Sequence, residues 1–428
     1  MCCIFLLTND MKGDEMQRKK ELLSPAGNFE KLRAAFLYGA DAVYLASRKF
    51  GMRAAAQNFS DSELSEAIDY AHSIGKRVYV AINVMPRGYE YKELRAYLRS
   101  LRKNPPDALI VADIGVFYEV KEILPDIEIH ISTQASACSA AACTAWYKLG
   151  AKRVVLAREL TMDEVIEIRR NTPKRLELEA FIHGSMCVSY SGRCLLSNHY
   201  TGRDANRGMC AQPCRWDYVP RTLDFSEVKR PEDVLRAEED GRGTYIMSSR
   251  DMCMIEHIPE LMECGIDSFK VEGRMKSAYY ASVVTNAYRM AMDSYIAHGA
   301  DGYEYDPAWM RELESVSHRD YCTGYWFDDP MENAQLCENP GYLREKAYIA
   351  TALSYDRDRG MACFIQRNKV CTGEDVELIS PGRCGRSFNI GQIYSEQGEP
   401  IGSAPHPAMC FWAKVPFEVK AGDIIRGV

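Results

Sequence analysis

Long apolar runs are scarce in this chain. The opening MCCIFLLTND is far too short to cross a bilayer and lacks the small-residue cleavage site of a secretory signal. Charges follow at once in DMKGDEMQRKK, which predicts a frayed leader over residues 1–20, with Met11 or Met16 as candidate starts. Without an export signal the expected location is cytoplasmic, with no membrane partner. In that reducing compartment the 16 cysteines are read as thiols or metal ligands, not as a disulfide framework. An excess of positive charge is also missing. The net charge of −7 excludes a globally basic nucleic-acid coat, yet leaves room for a local basic groove where phosphates lie. Neither H-E-x-x-H nor G-x-S-x-G occurs, which removes the ordinary zinc and serine routes to peptide hydrolysis. No solenoid-type repeat is visible.

What is present is an ordinary globular composition, 46% hydrophobic and 26% charged over 428 residues, enough for one large domain and a smaller one. From residue 21, β-branched runs alternate with amphipathic stretches. Strands are expected at 21–25, 41–45, 77–83, 108–113, 128–133, 153–158, 176–184, 245–248 and 268–273. Helix patterns lie between them: DSELSEAIDYAHSIG opens at Ser60 or Asp61 and stops at Gly75, and TMDEVIEIRRNT opens at Thr161. Apolar runs such as RVYVAIN suit a sheet covered on both faces. About eight strand–helix units in a row favour a closed (β/α)8 TIM-type barrel over an open sheet. Nine candidate strands are one too many, and 245–248 is the first choice for the extra. KSAYYASVVTNAYRMAMDSYIAH reads as one long helix closing a barrel domain over 21–300, which carries a cysteine-rich insertion at 184–244. Residues 301–340 read as a connection. Alternating runs with Gly, Pro, Asp and Asn at their turns then predict a small antiparallel β-barrel over 341–428.

Several barrel strands finish in polar residues: Asn83, Asp113, Gln134, Arg158, His183 and Glu272. In a barrel these ends converge on one face, where Asn83, Gln134, His183 and Glu272 are expected to line a catalytic pocket. Any one of them could instead be a loop hydrogen bond or a cap. In KVEGRMKS, Lys270 and Glu272 fall on one strand face, and Lys270 and Arg274 fit an anion site or an ion-paired support.

The most informative stretch is HGSMCVSYSGRCLLSNHYTGRDANRGMCAQPCRW. It holds Cys187, Cys194, Cys210 and Cys214, spaced C-x6-C-x15-C-x3-C. Four thiolates complete the protein ligands of an iron–sulfur cubane, and the small residues among them let backbone amides approach the sulfurs. Zinc is an alternative, with His183 or His199 able to join, although only the second cysteine pair is close. Unliganded thiols, or a Cys187 nucleophile beside His183, also remain open. Arg193, Arg203, Arg207 and Arg215, interleaved with Tyr190, Tyr200 and Trp216, suit phosphate contact and base stacking. Pairing with nearby acids is the plainer reading of the same arginines. Cys138, Cys143, Cys253, Cys264 and Cys363 are expected to be buried packing residues, Cys253 within a helix.

ELLSPAGNFEKLRAAFLYGADAVYLA, ISTQAS, the cysteine stretch and SFKVEGRMKS together resemble the peptidase U32 family, in its tRNA-hydroxylating branch. The resemblance covers Glu21 to Lys276, and the β-rich tail resembles that branch's C-terminal domain. It implies a barrel with a 4Fe–4S cluster on Cys187, Cys194, Cys210 and Cys214, with Cys253 as the one substitute ligand. The implied activity is oxygen-independent hydroxylation of a wobble uridine in tRNA to 5-hydroxyuridine, with prephenate as co-substrate. Its partners would be tRNA, a small-molecule oxygen donor and an electron donor. Other branches hydroxylate a ribosomal RNA cytidine or the ubiquinone ring, and the family's older label is collagenase-like peptidase.

Overall fold

The structure, a computed structural model, describes residues 20–51, 57–186, 249–327 and 346–428. It also describes short strands between 224 and 245 and single positions between 197 and 213. The expected leader lies outside these residues. Among them, no helix is long and apolar enough to cross a membrane.

Eight parallel strands form the barrel: β1 (Glu21–Pro25), β2 (Ala42–Leu45), β3 (Arg77–Ile82), β4 (Ala108–Val111), β5 (Glu128–Ile131), β6 (Arg153–Val155), β7 (Glu177–Ser185) and, after the insertion, β9 (Ser268–Val271). Each pairs with the next, and β9 pairs with both β7 and β1, so the wall closes. The strands are apolar on both sides because both sides are covered. On β3, Val78, Val80 and Ile82 face the surrounding helices, while Tyr79 and Ala81 join Leu23, Tyr44 and Ile110 in a separate cluster inside the barrel.

The outer helices are α1 (Phe29–Leu37), α2 (Asp61–Ser73), α3 (Tyr91–Leu101), α4 (Ile114–Ile123), α5 (Ala140–Leu149), α6 (Met162–Arg170), α7 (Ile258–Glu263) and α8 (Ala278–Gly302). Their starts are set by local chemistry. Ser60 and Thr161 each make a reciprocal capping box with the glutamate three residues on, Glu63 and Glu164. The long closing helix is α8, kinked near its end at Gly299.

Of the surplus ninth strand expected at 245–248, residues 246–248 lie outside the described residues; Tyr245 ends a short strand, Gly243–Tyr245, paired antiparallel with Glu238–Asp240 and not with the barrel. Instead a three-residue strand, β8 (Asp251–Cys253), runs antiparallel along the end of β7 and parallel to β10 (Tyr321–Cys322). Cys253 is therefore a buried strand residue, not a helical one. Cys138 is exposed in the loop before α5, whereas Cys143, Cys264 and Cys363 are buried. The stretch expected to be a connection carries α9 (Pro307–Glu314) as well as β10.

The C-terminal region is an eight-stranded antiparallel sheet around its own core of Phe364, Phe411, Val376, Leu378 and Ile393. This is the separate antiparallel β domain that the sequence predicts; among the described residues no ladder joins its outer strands, Arg383–Asn389 and Pro400–Ile401. Donors on and beside Arg383–Asn389 are taken by the larger domain: the Gly385 amide donates to Glu312 Oε1 (2.9 Å), and the Gly382 amide to Asn286 Oδ1 (2.7 Å). An edge satisfied in this way needs no closing strand.

Candidate functional site at the barrel mouth

The C-terminal ends of the barrel strands open on one face, and β9 contributes the densest group there. The Lys270 ammonium is 2.6 Å from Glu179 Oε1 and lies over the rings of Tyr44 (4.4 Å) and Phe181 (5.4 Å). Two residues on, Glu272 accepts from the Tyr44 hydroxyl at 3.0 Å. Tyr44 thus touches both residues of the shared strand face. Arg274 is buried over the same ring, and Arg158, from the loop after β6, lies over Phe181 and donates to the Ser185 carbonyl (3.1 Å). Lys270, Glu272, Arg274 and Arg158 therefore gather around Tyr44 and Phe181.

The other predicted positions are placed elsewhere. Asn83 follows β3, half-buried on another part of the rim. Gln134 sits in a one-turn helix after β5, its buried Oε1 lacking a hydrogen-bond partner among the described residues. Asp113 is occupied as the cap of α4, accepting from the Val116 amide and from Tyr91. The His183 ring lies in the wall rather than the pocket, packed against Tyr280, Tyr288 and Tyr321 at 5.4–6.0 Å. The reason is an irregularity: Lys270 pairs with Phe181 but Val271 pairs with His183, so the β7 alternation slips by one residue there. Burial pushes the His183 imidazole down to about 3.

Below the mouth lies a charged layer that strand-end reasoning missed. Arg153, 2% exposed, pairs with Glu21 (2.6 Å), Glu177 (2.8 Å) and Glu179 (2.9 Å), and Tyr79 and Ser268 also donate to Glu21. Burial alone would raise the Glu21 carboxyl, but Arg153, Arg77 and Tyr79 together hold it below the usual range. A signal was available in LELEAFIHG, where Glu177 and Glu179 alternate with leucines on a strand that is otherwise apolar.

The cysteine-rich segment leaves this same face. Gly184, at φ +103°, passes so close to β9 that a Cβ there would lie 2.6 Å from the Glu272 carbonyl. The far end of the segment is tied back, since Ser249 Oγ donates to the Met186 carbonyl at 2.8 Å. Both stems therefore stand at the mouth. Inside the loop, Cys210 is half-exposed, and the next amide, Ala211, donates to the buried Ser197 hydroxyl at 2.9 Å. Arg203 is exposed, and its amide donates to Thr201. Cys187, Cys194, Cys214, Arg193, Arg207 and Arg215 lie outside the described residues. Among the described residues, no three His, Cys, Asp or Glu side chains stand together as a metal site. A segment offering four thiols from stems fixed at the mouth has the donor chemistry an iron–sulfur cluster needs.

Residues 27–336 match the model of peptidase family U32, and residues 344–426 match the family's C-terminal domain. The chain belongs to peptidase family U32. Its relatives include tRNA hydroxylation protein P1 of Bacillus subtilis, 36% identical over 96% of this chain and 95% of that one. tRNA hydroxylation protein P of Escherichia coli is 33% identical over 94% and 95%. A Porphyromonas gingivalis protein named collagenase is 30% identical over 84% and 86%. The two tRNA hydroxylation relatives align over nearly the whole of this chain.

Proposed function

We propose that this chain is a tRNA-modifying enzyme that hydroxylates the wobble uridine to 5-hydroxyuridine without molecular oxygen. The observation that carries the reading is the alignment, over nearly the whole of both chains, with relatives named tRNA hydroxylation protein P. The mouth chemistry supports it. Converting a ring C–H to C–OH needs an oxygen donor and a route for two electrons beside the target carbon. A 4Fe–4S cluster on Cys187, Cys194, Cys210 and Cys214 would supply one-electron chemistry there when bound. Lys270, Arg158 and Arg274 would hold an anionic co-substrate, for which prephenate is the candidate. Tyr44 would keep Glu272 oriented at the rim through its 3.0 Å hydrogen bond, where the carboxylate can take or return a proton. Arg203 and the loop arginines Arg193, Arg207 and Arg215 would steer the tRNA.

The test is mass spectrometry of tRNA nucleosides from a deletion strain carrying either the wild-type chain or Cys187→Ala. Restored 5-hydroxyuridine with the wild type alone, and broad absorbance near ~400 nm lost in the anaerobically purified variant, is the expected result. 5-Hydroxyuridine persisting at its usual level in the deletion strain overturns the reading. The second reading, a peptidase, has the names of two relatives in its favour, one called a collagenase and one an uncharacterized protease. Against it, the buried Cys253 thiol is pushed up to about 12, which disarms that cysteine as a nucleophile. Gelatin cleavage abolished by Cys187→Ala would revive it.

A further inference from the structure

Beside the barrel mouth, a cavity lined by residues of both domains opens on the surface. Its volume is about 340 Å³, and it lies where the loops after β1 and β9 meet the tail sheet. Asn28, Lys31, Gln57 and Ser277 line it from the barrel, and Tyr348 and Arg367 from the tail. The barrel residues follow the strand ends that build the mouth, so the cavity sits on the same rim as Glu272 and Arg274.

Its charges are unequal. Arg367 is paired with Glu30 at 2.6 Å, both side chains remaining a third to a half exposed, while Lys31 donates to the Arg274 backbone carbonyl at 3.3 Å and shares the field of the same Glu30 carboxylate. Two cations thus face one carboxylate. The helix starts contribute little to this, because Asn28 and Ser277 already cap α1 and α8. The remaining lining is what a nucleoside needs: Tyr348, stacked on Tyr279 with planes 14° apart, and Met275, 48% exposed on the rim. A surplus cation beside an aromatic and an exposed thioether is a combination that accepts a phosphate together with its base or ribose.

We propose that this interdomain groove holds a nucleotide of the tRNA strand next to the one entering the barrel mouth, its phosphate lying between Lys31 and Arg367. The inference rests on the tRNA reading above and gives the tail sheet a role in it: Arg367 and Tyr348 complete a substrate groove that the barrel alone leaves half-built. Glu30 is then a built-in competitor for Arg367.

The test is tRNA binding by the full chain across a salt series, with Arg367→Ala, Lys31→Ala and Glu30→Gln. Arg367→Ala and Lys31→Ala are each expected to weaken binding about tenfold and to lower the salt slope by roughly one. Glu30→Gln is expected to tighten it, because the guanidinium is released to the phosphate. Partly exposed charges of this kind add little to stability, so all three variants should melt with the wild type. Wild-type binding with unchanged affinity in the variants, or with Glu30→Gln and Arg367→Ala moving the same way, overturns the groove and leaves the proposed activity standing. A wild-type chain that neither binds tRNA nor alters its nucleosides overturns both.

Discussion

Burial among three tyrosines leaves His183 neutral throughout the physiological range, its folded value near 3 against an ordinary 6.5. His130, fully buried edge-on to Tyr79, is pushed the same way by burial and then by Arg153. A histidine depressed in the folded state takes up its proton first in the unfolded chain. Its contribution is therefore complete above about pH 6.5 and is lost as pH falls toward 3. Urea denaturation between pH 7 and pH 4 should show stability falling on the acid side. His183→Gln should flatten that fall by up to ~1.4 kcal/mol per pH unit. An unchanged slope would mean that the ring is not in the wall. The sequence showed His183 ending a strand, which was enough to nominate it for the pocket. The slipped pairing opposite Val271 that turns it outward depends on β9, nearly ninety residues away, and leaves no local trace. Lys270 and Glu272 were readable because strict alternation holds across their own strand.

At the level of elements, the barrel strands joined by Arg153 carry both apolar runs and buried charge. Replacing Arg153 with Met would leave Glu21 and Glu179 enclosed without their shared cation, at a cost of about 3–5 kcal/mol. Arg77, which also pairs with Glu21, is 47% exposed, and Arg77→Ala should cost under ~1 kcal/mol. Chemical denaturation of the two variants separates a hub from an accessory; equal losses would refute the assignment. The eight barrel strands were legible because each is a short, mostly apolar run set between helix patterns, and the capping residues Ser60 and Thr161 announced two helices in advance. β8 was not legible. Three residues, Asp251–Cys253, are too few to display a period, and the strand exists only because the end of β7 and β10 offer it partners.

For the molecule as a whole, Arg426 joins tail to barrel. It is 2% exposed and contacts Glu312 (2.7 Å) and Ser315 (2.6 Å) of the barrel domain, and Glu377 (2.7 Å) of its own sheet. Calorimetry of the wild type should show one cooperative transition. Arg426→Leu, which strands Glu312 at the interface, should lower the midpoint and split off a separate tail transition; a single unshifted transition would show that the domains are held by other contacts. The sequence announced two domains without showing how they meet, since the matching groups on α8, α9 and the sheet edge are ordinary Asn, Glu and Gly in isolation. Barrel closure has a consequence for biogenesis. Glu21 is translated 132 residues before Arg153 and 247 before Ser268, its two most distant partners. A nascent chain that wraps prematurely, with either of those strands still inside the ribosome, encloses a carboxylate that only Arg77 and Tyr79 and at most one distant partner can satisfy. The first strand thus acts as a proofreading device, penalising incomplete cylinders until the eighth stave arrives.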